Sequence, residues 1–141
     1  MAKQKITRNQ IALTPMVQAH RHNGAGTPLG PTGVLVMTVA TFNVGSCYGT
    51  NTTGQFTAPK AGNYLVLFST FVDNTAGGGA ITVRKNTVNQ GARTYSQGGR
   101  YEPISINMIV PCAVNDIIDI YTTLLIHGND SGNLTIYFLG E

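Results

Sequence analysis

The chain predicts an all-β fold, a single jelly-roll β-sandwich behind an irregular N-terminal arm, and three observations carry that expectation. From residue 34 onward, about eight short segments combine alternation of apolar residues with Val, Ile, Thr, Tyr and Phe, side chains that suit a pleated, half-buried surface. Gly, Asn, Asp and Pro punctuate these segments roughly every 8 to 14 residues, the spacing of a sandwich or barrel. No segment repeats its apolar residues at the helical period. At 141 residues the chain is long enough to bury one core and too short for two domains of ordinary size.

Residues 1–33 read as an arm or linker. Pro15, Pro28, Pro31, Gly24, Gly26, Gly30 and Gly33 interrupt every candidate element, and only IALTPMV offers a short apolar patch that could lie against another surface. The sandwich is expected over 34–141. VLVMTVATF is its first strand, and Tyr48 sits on a short edge strand within a Gly, Thr and Asn-rich stretch. GQFTAPKAG turns into NYLVLFSTFV, the most apolar strand of the chain, with Tyr64, Val66, Phe68, Thr70 and Val72 on one face and Asn63, Leu65, Leu67, Ser69 and Phe71 on the other. Both faces are largely apolar, so one meets the core and the other needs a second cover.

AITVRKN follows as a strand that turns at Asn86, NQGARTYSQ as a weak polar strand, and GGRYEP as a loop. ISINMIV alternates and ends at Pro111. Asn115 and Asp116 turn the chain into IIDIYTTLLI, whose Ile118, Ile120 and Leu124 face inward, and NLTIYFLG closes the fold with Leu134, Ile136 and Phe138 inward.

Charge is scarce and uneven. Charged residues make up 11% of the chain, against about 25% in ordinary soluble domains, which suits a surface that meets other protein. Lys3, Lys5, Arg8, Arg21 and Lys60 all precede the first acid, Asp73, so residues 1–72 carry +5 and the remainder −2. A basic leader of this kind attracts acidic partners. Nucleic acid is not expected as the partner, because no aromatic is interleaved with Lys3, Lys5 and Arg8 to stack on bases. Nor is a membrane, since no run approaches the roughly 18 apolar residues of a spanning helix. The N-terminus MAKQKITRNQ lacks the apolar centre of a secretory signal, which leads to the expectation of a cytoplasmic origin with Cys47 and Cys112 as free buried thiols.

Candidate chemistry is thin. His20 and His22 stand two apart, so on an extended chain both imidazoles point one way and three copies around an axis could surround one metal ion. No acid or cysteine lies beside them, and an exposed polar pair is the expectation. Asp73, Asp116 and Asp130 each bring a single carboxylate to a loop, too few for a calcium cage and well explained as turn residues. His127, Asp130 and Ser131 are too close in sequence to imply a triad, and Cys112 and His127 could meet only through packing. No enzyme, cofactor or metal is expected.

Phe56, Gly62, Tyr64, Val66 and Phe68 resemble the signature of the C1q and tumour-necrosis-factor-like domains: Phe, five residues, Gly, any residue, Tyr, then alternating large apolar residues, with Val66 where Phe is usual. Asn43 and Tyr48 keep the family's spacing to each other. ITVRKN, VPCAVNDIIDIY and NLTIYFLGE are similar to three further strands of that family, so the resemblance spans roughly 34–141. It implies an eight- or ten-stranded jelly roll that assembles as a homotrimer, with Phe56, Tyr64, Val66 and Phe68 in the core strand or the trimer interface, and a role in binding proteins or sugars.

The combined expectation is a structural virion protein of a bacteriophage, a capsid decoration or cement protein made in the host cytoplasm and carried on the capsid surface. Its arm would grip the major capsid protein or another virion protein through Lys3, Lys5 and Arg8, with Ile11, Leu13, Met16 and Val17 supplying apolar contact. The alternative is a receptor-binding tip or head fibre that grips a host surface glycan or protein through the loops at 73–79, 97–103 and 127–133.

Overall fold

The computed structural model describes residues 15–21, 32–50, 52–73, 78–96, 100–127 and 132–141. Within them lie ten strands: β1 (Pro15–His20), β2 (Gly33–Val34), β3 (Val39–Asn43), β4 (Gln55–Thr57), β5 (Gly62–Asp73), β6 (Gly79–Lys85), β7 (Val88–Ser96), β8 (Arg100–Cys112), β9 (Ile117–Thr122) and β10 (Asn133–Gly140). They form two antiparallel sheets. One runs β3-β1-β10-β5-β8; the other runs β2-β9-β6-β7, with β4 extending the β9 edge. The jelly-roll sandwich expected from the alternation is therefore present.

β5 is the axis of the first sheet, paired along its length with β8 on one side and β10 on the other. Its alternation divides it cleanly. Tyr64, Val66, Phe68 and Val72 point between the sheets and are at most 2% exposed. They meet Ile81, Val83, Ile118 and Ile120 of the second sheet in one continuous apolar core. Tyr64 shows why the Gly-x-Tyr signature needs its residues. Its ring lies 5.2 Å from both Phe56 and Phe138, its hydroxyl donates to the Lys60 carbonyl at 2.8 Å, and the chain enters the strand through Gly62 at φ 142. A Cβ on Gly62 would sit 2.6 Å from the Gly140 carbonyl, so only glycine lets the ends of β5 and β10 approach.

Asn43 and Tyr48 turn out to be joined physically. The Asn43 side chain accepts from the Tyr48 N–H at 2.9 Å and donates to the Tyr48 carbonyl at 2.8 Å, holding the turn at Val44–Ser46 in place of strand pairing. At the same end of the sandwich, Asn86 and Asp116 bind the turns together: Asn86 Nδ2 donates to Asp116 Oδ1, Ile117 N–H donates to Asn86 Oδ1, and Ala113 N–H donates to Asp116 Oδ2, each at 2.8 Å. Asn86, Thr87 and Asn115 take positive φ there, as tight turns demand.

Four expectations need correction. Residues 1–33 are not all arm, because β1 is the second strand of the first sheet, paired with β10 and β3; Val17 is fully buried and Ala19 nearly so. Short side chains hide this strand's alternation, and Pro15 at its start looks like a breaker. VLVMTVATF is not one strand. β2 and β3 belong to different sheets, and the link crosses between them with Leu35 and Met37 buried. Leu35 N–H donates to the Ile120 carbonyl and Met37 N–H to the Tyr48 hydroxyl. GGRYEP contributes to β8 from Arg100 onward, and Pro111 does not end that strand, which pairs on to Cys112. Both Pro103 and Pro111 are tolerated because β8 is an edge strand, where a missing N–H breaks no ladder. Finally, Tyr48 forms only an isolated bridge to Phe56 in place of an edge strand, while β1, the split into β2 and β3, and three-residue β4 bring the strand count from about eight to ten.

Candidate functional site: the outward face of the five-stranded sheet

The outward side of β5 presents Asn63, Leu65, Leu67, Ser69 and Phe71, and the register of its neighbours fixes what stands beside each. Leu65 lies between Ile109 of β8 and Tyr137 of β10; Leu67 lies between Asn107 and Thr135; Ser69 lies between Ser105 and Asn133; Phe71 faces Pro103. The face is therefore graded. Toward the end where β1 enters it is apolar, with Ile109 55% and Leu139 38% exposed. Toward the opposite end it becomes hydroxyl and amide, closing on Phe71, which is 46% exposed.

That polar half is hollowed. A depression of about 330 Å³ is lined by Ser69, Phe71, Pro103, Ser105 and Asn133, and an adjoining one of about 130 Å³ by Leu67, Ser69, Asn107, Asn133 and Thr135. The Tyr101 and His127 rings meet nearby at a tilt, centroids 4.7 Å apart, and the His127 backbone N–H donates to the Phe71 carbonyl. A third hollow, of about 270 Å³, opens at the other end between Met16, Val44, Pro59 and Phe138, with Lys60 on its rim.

The outward face of the second sheet is built differently. Asp119 accepts from Arg84 Nε at 2.7 Å and from Nη2 at 2.9 Å, while the guanidinium carbon lies 4.2 Å from the centre of the Tyr121 ring. The Asp119 side chain is 1% exposed. Its hydrogen bond to Arg84 raises the Arg84 pKa, against the opposing effect of burial. The clamp joins β6 to β9 and leaves Asp119 no spare oxygen for chemistry. Nothing in the alternation of IIDIYTT signalled it, although Arg84 directly opposes Asp119 in the register.

The expected site residues sort as follows. Phe56, Tyr64, Val66 and Phe68 are buried side chains of the core. Met16 and Val17 both belong to β1 and not to an arm: Val17 is core, and half-buried Met16 lines the third hollow. Lys3, Lys5, Arg8, Ile11 and Leu13 lie outside the described residues, as do His22 and Asp130. His20 pairs in register with Asn133 and Val39. Arg21 follows it with 3% exposure and no hydrogen bond from Nε or Nη1, and burial lowers its pKa. Among the described residues no three of His, Cys, Asp and Glu gather as metal ligands.

Cys47 and Cys112 are free and buried, and burial raises both thiol pKa values. Cys112 and His127 are not neighbours. Cys112 pairs with Gly62 at one end of β5, whereas His127 bonds to Phe71 near the other. Asp116 serves the turn at Asn86, as its sequence context implied.

No family model and no curated protein sequence matches the chain. Solved structures do. The globular domain of zebrafish complement 1qA protein superposes with a TM-score of 0.63 over 88% of this chain and 94% of its own, at 11% identity. Rabbit GITRL superposes with a TM-score of 0.51 over 67% of this chain and 78% of its own, at 16% identity. The fold is a C1q/TNF-like jelly roll. In that C1q/TNF-like frame the motif Phe56, Gly62, Tyr64 is a core-forming device, turned away from the graded outward face of β10, β5 and β8.

Proposed function

We propose that this C1q/TNF-like chain is a non-enzymatic structural protein of a bacteriophage virion, a homotrimer that decorates and stabilises the capsid. The observation that carries the reading is the apolar half of the outward sheet face. Leu65, Ile109, Tyr137 and Leu139 form a contiguous patch on flat, rigid strands, the kind of exposed surface that marks a protein contact. Packing around a three-fold axis is the closed arrangement that the resemblance implies, and closure prevents an open-ended chain of contacts. The basic leader supports the capsid side of the reading. Residues 1–72 hold five basic residues and no acid, and three copies of a weakly attractive segment add through effective concentration.

Because β1 is part of the core, the segment available for docking ends before Pro15. Deleting residues 2–14 should leave a trimer by sedimentation equilibrium that no longer binds purified capsids. Undiminished capsid binding by that trimer would overturn the docking role, and a monomer for the intact chain would overturn the assembly. Copy number per particle then separates decoration, with hundreds of copies, from a tip.

A further inference from the structure

We propose that the hollowed, polar half of the outward face is a binding site for a neutral carbohydrate, held between the Phe71 ring and the amides of Asn107 and Asn133. Four observations point to that ligand chemistry. The two adjoining depressions share Ser69, Ser105 and Asn133, so they form one groove, and the larger, about 330 Å³, reaches the low end of the roughly 300–1,000 Å³ usual for small-molecule sites. Among the described residues no Lys, Arg, Asp or Glu lines either depression, so the described lining offers nothing to neutralise a phosphate, a carboxylate or an amine.

Part of the hydrogen-bonding capacity is unspent. The side chains of Ser69, Asn107 and Asn133 make no hydrogen bond to any described residue, and all three are exposed. An amide offers donors and an acceptor side by side, which matches the paired hydroxyls of a pyranose. A flat protein surface laid over the same groups would have to desolvate each one and meet it individually. At the end of the groove Phe71 is 46% exposed beside Pro103. An aromatic face is electron-rich and apolar, and it accepts the C–H face of a sugar ring without a charged partner.

The residues also sit on paired strands rather than on loops. Ser105–Ser69–Asn133 is one continuous row across β8, β5 and β10, so its geometry is set before any ligand arrives. The described lining comes from one chain, and the proposal does not depend on capsid docking by the leader.

The test uses the full chain and a panel of neutral monosaccharides and disaccharides, read by saturation-transfer NMR and by a glycan array. A neutral pyranose should bind in the millimolar range. Phe71→Ala and Asn133→Ala should each weaken it about tenfold or more, whereas Ile109→Ala, on the apolar half, should not. Oligomeric state and thermal midpoint are measured for every variant, because Phe71 and Asn133 are exposed and their replacement should leave the fold intact. The proposal is overturned if no neutral sugar in the panel binds, if binding survives both groove variants, or if only acidic sugars bind. A panel that fails while Phe71→Ala splits the assembly would identify the groove as a packing surface between copies. None of these outcomes bears on whether residues 2–14 hold a capsid.

Discussion

The outward faces of the two sheets solve the same problem in opposite ways. On the second sheet, Asp119 and Thr82 point away from the core yet are only 3% and 4% exposed, and Arg84 lies across Asp119 with its guanidinium over the Tyr121 ring. That face is closed by its own chain. On the first sheet, Leu65, Ile109, Tyr137 and Leu139 point outward, and Ile109 and Leu139 remain 55% and 38% exposed. Apolar outward residues on strands are therefore not surplus core. They mark the sheet that the described residues leave without a second cover, and the polar half beside them is where the apolar character of that face stops.

The largest effect should come from opening the closed face. Asp119→Ala leaves the Arg84 guanidinium, 16% exposed, without its bidentate partner, and removal of one member of such a pair costs about 3 kcal/mol. Replacing both, Asp119→Leu with Arg84→Met, removes the uncompensated charge and should recover most of that loss in urea denaturation. Equal destabilisation of the single and double variants would mean that the clamp seals nothing.

The open face predicts the reverse pattern. Ile109→Asp alters a side chain that is 55% exposed in the single chain, so the stability of that chain should change by less than about 0.5 kcal/mol. Assembly should suffer instead: three carboxylates would be placed in an apolar contact, and sedimentation should show dissociation at concentrations where the unaltered chain stays associated. A variant that unfolds in place of dissociating would show that the face is intramolecular.

These contrasts explain what was legible in the sequence. β5, β6 and β10 were readable because large apolar residues alternate within runs of seven or more residues that are bounded by turn residues. β1 was not, since PMVQAH buries only Val17 and Ala19, side chains too small and too few to advertise a face, and a proline opens it. The split of VLVMTVATF was hidden because a crossing link with Leu35 and Met37 buried has the same alternation as a strand. Of the site, the apolar outward row of β5 was visible, but which face would be covered was not. That depends on which strands become neighbours: only the register brings Asn107, Ser105 and Asn133, from β8 and β10, beside Leu67 and Ser69.

The smallest expected effect tests how the two sheets are fastened at the entry end, so that one face can be disturbed without the other. Asp116 lies on the surface of the turn between β8 and β9, and its carboxyl is held below the usual carboxylate range first by the Asn86 amide, then by the Ala113 N–H, with Lys85 adding a weaker attraction at 3.7 Å. A carboxyl with a depressed folded-state pKa contributes stability that is fully present above its ordinary value and is lost as pH falls through the lowered one. Asp116→Asn should therefore lower the thermal midpoint slightly near neutrality, and the gap to the unaltered chain should shrink steadily on acidification and close once Asp116 itself is protonated. Because two hydrogen bonds rather than Lys85 dominate, added salt should change the gap little. A gap that is constant through the acid range would mean that the amide and not the charge does the fastening. A gap abolished by salt would assign it to Lys85 instead.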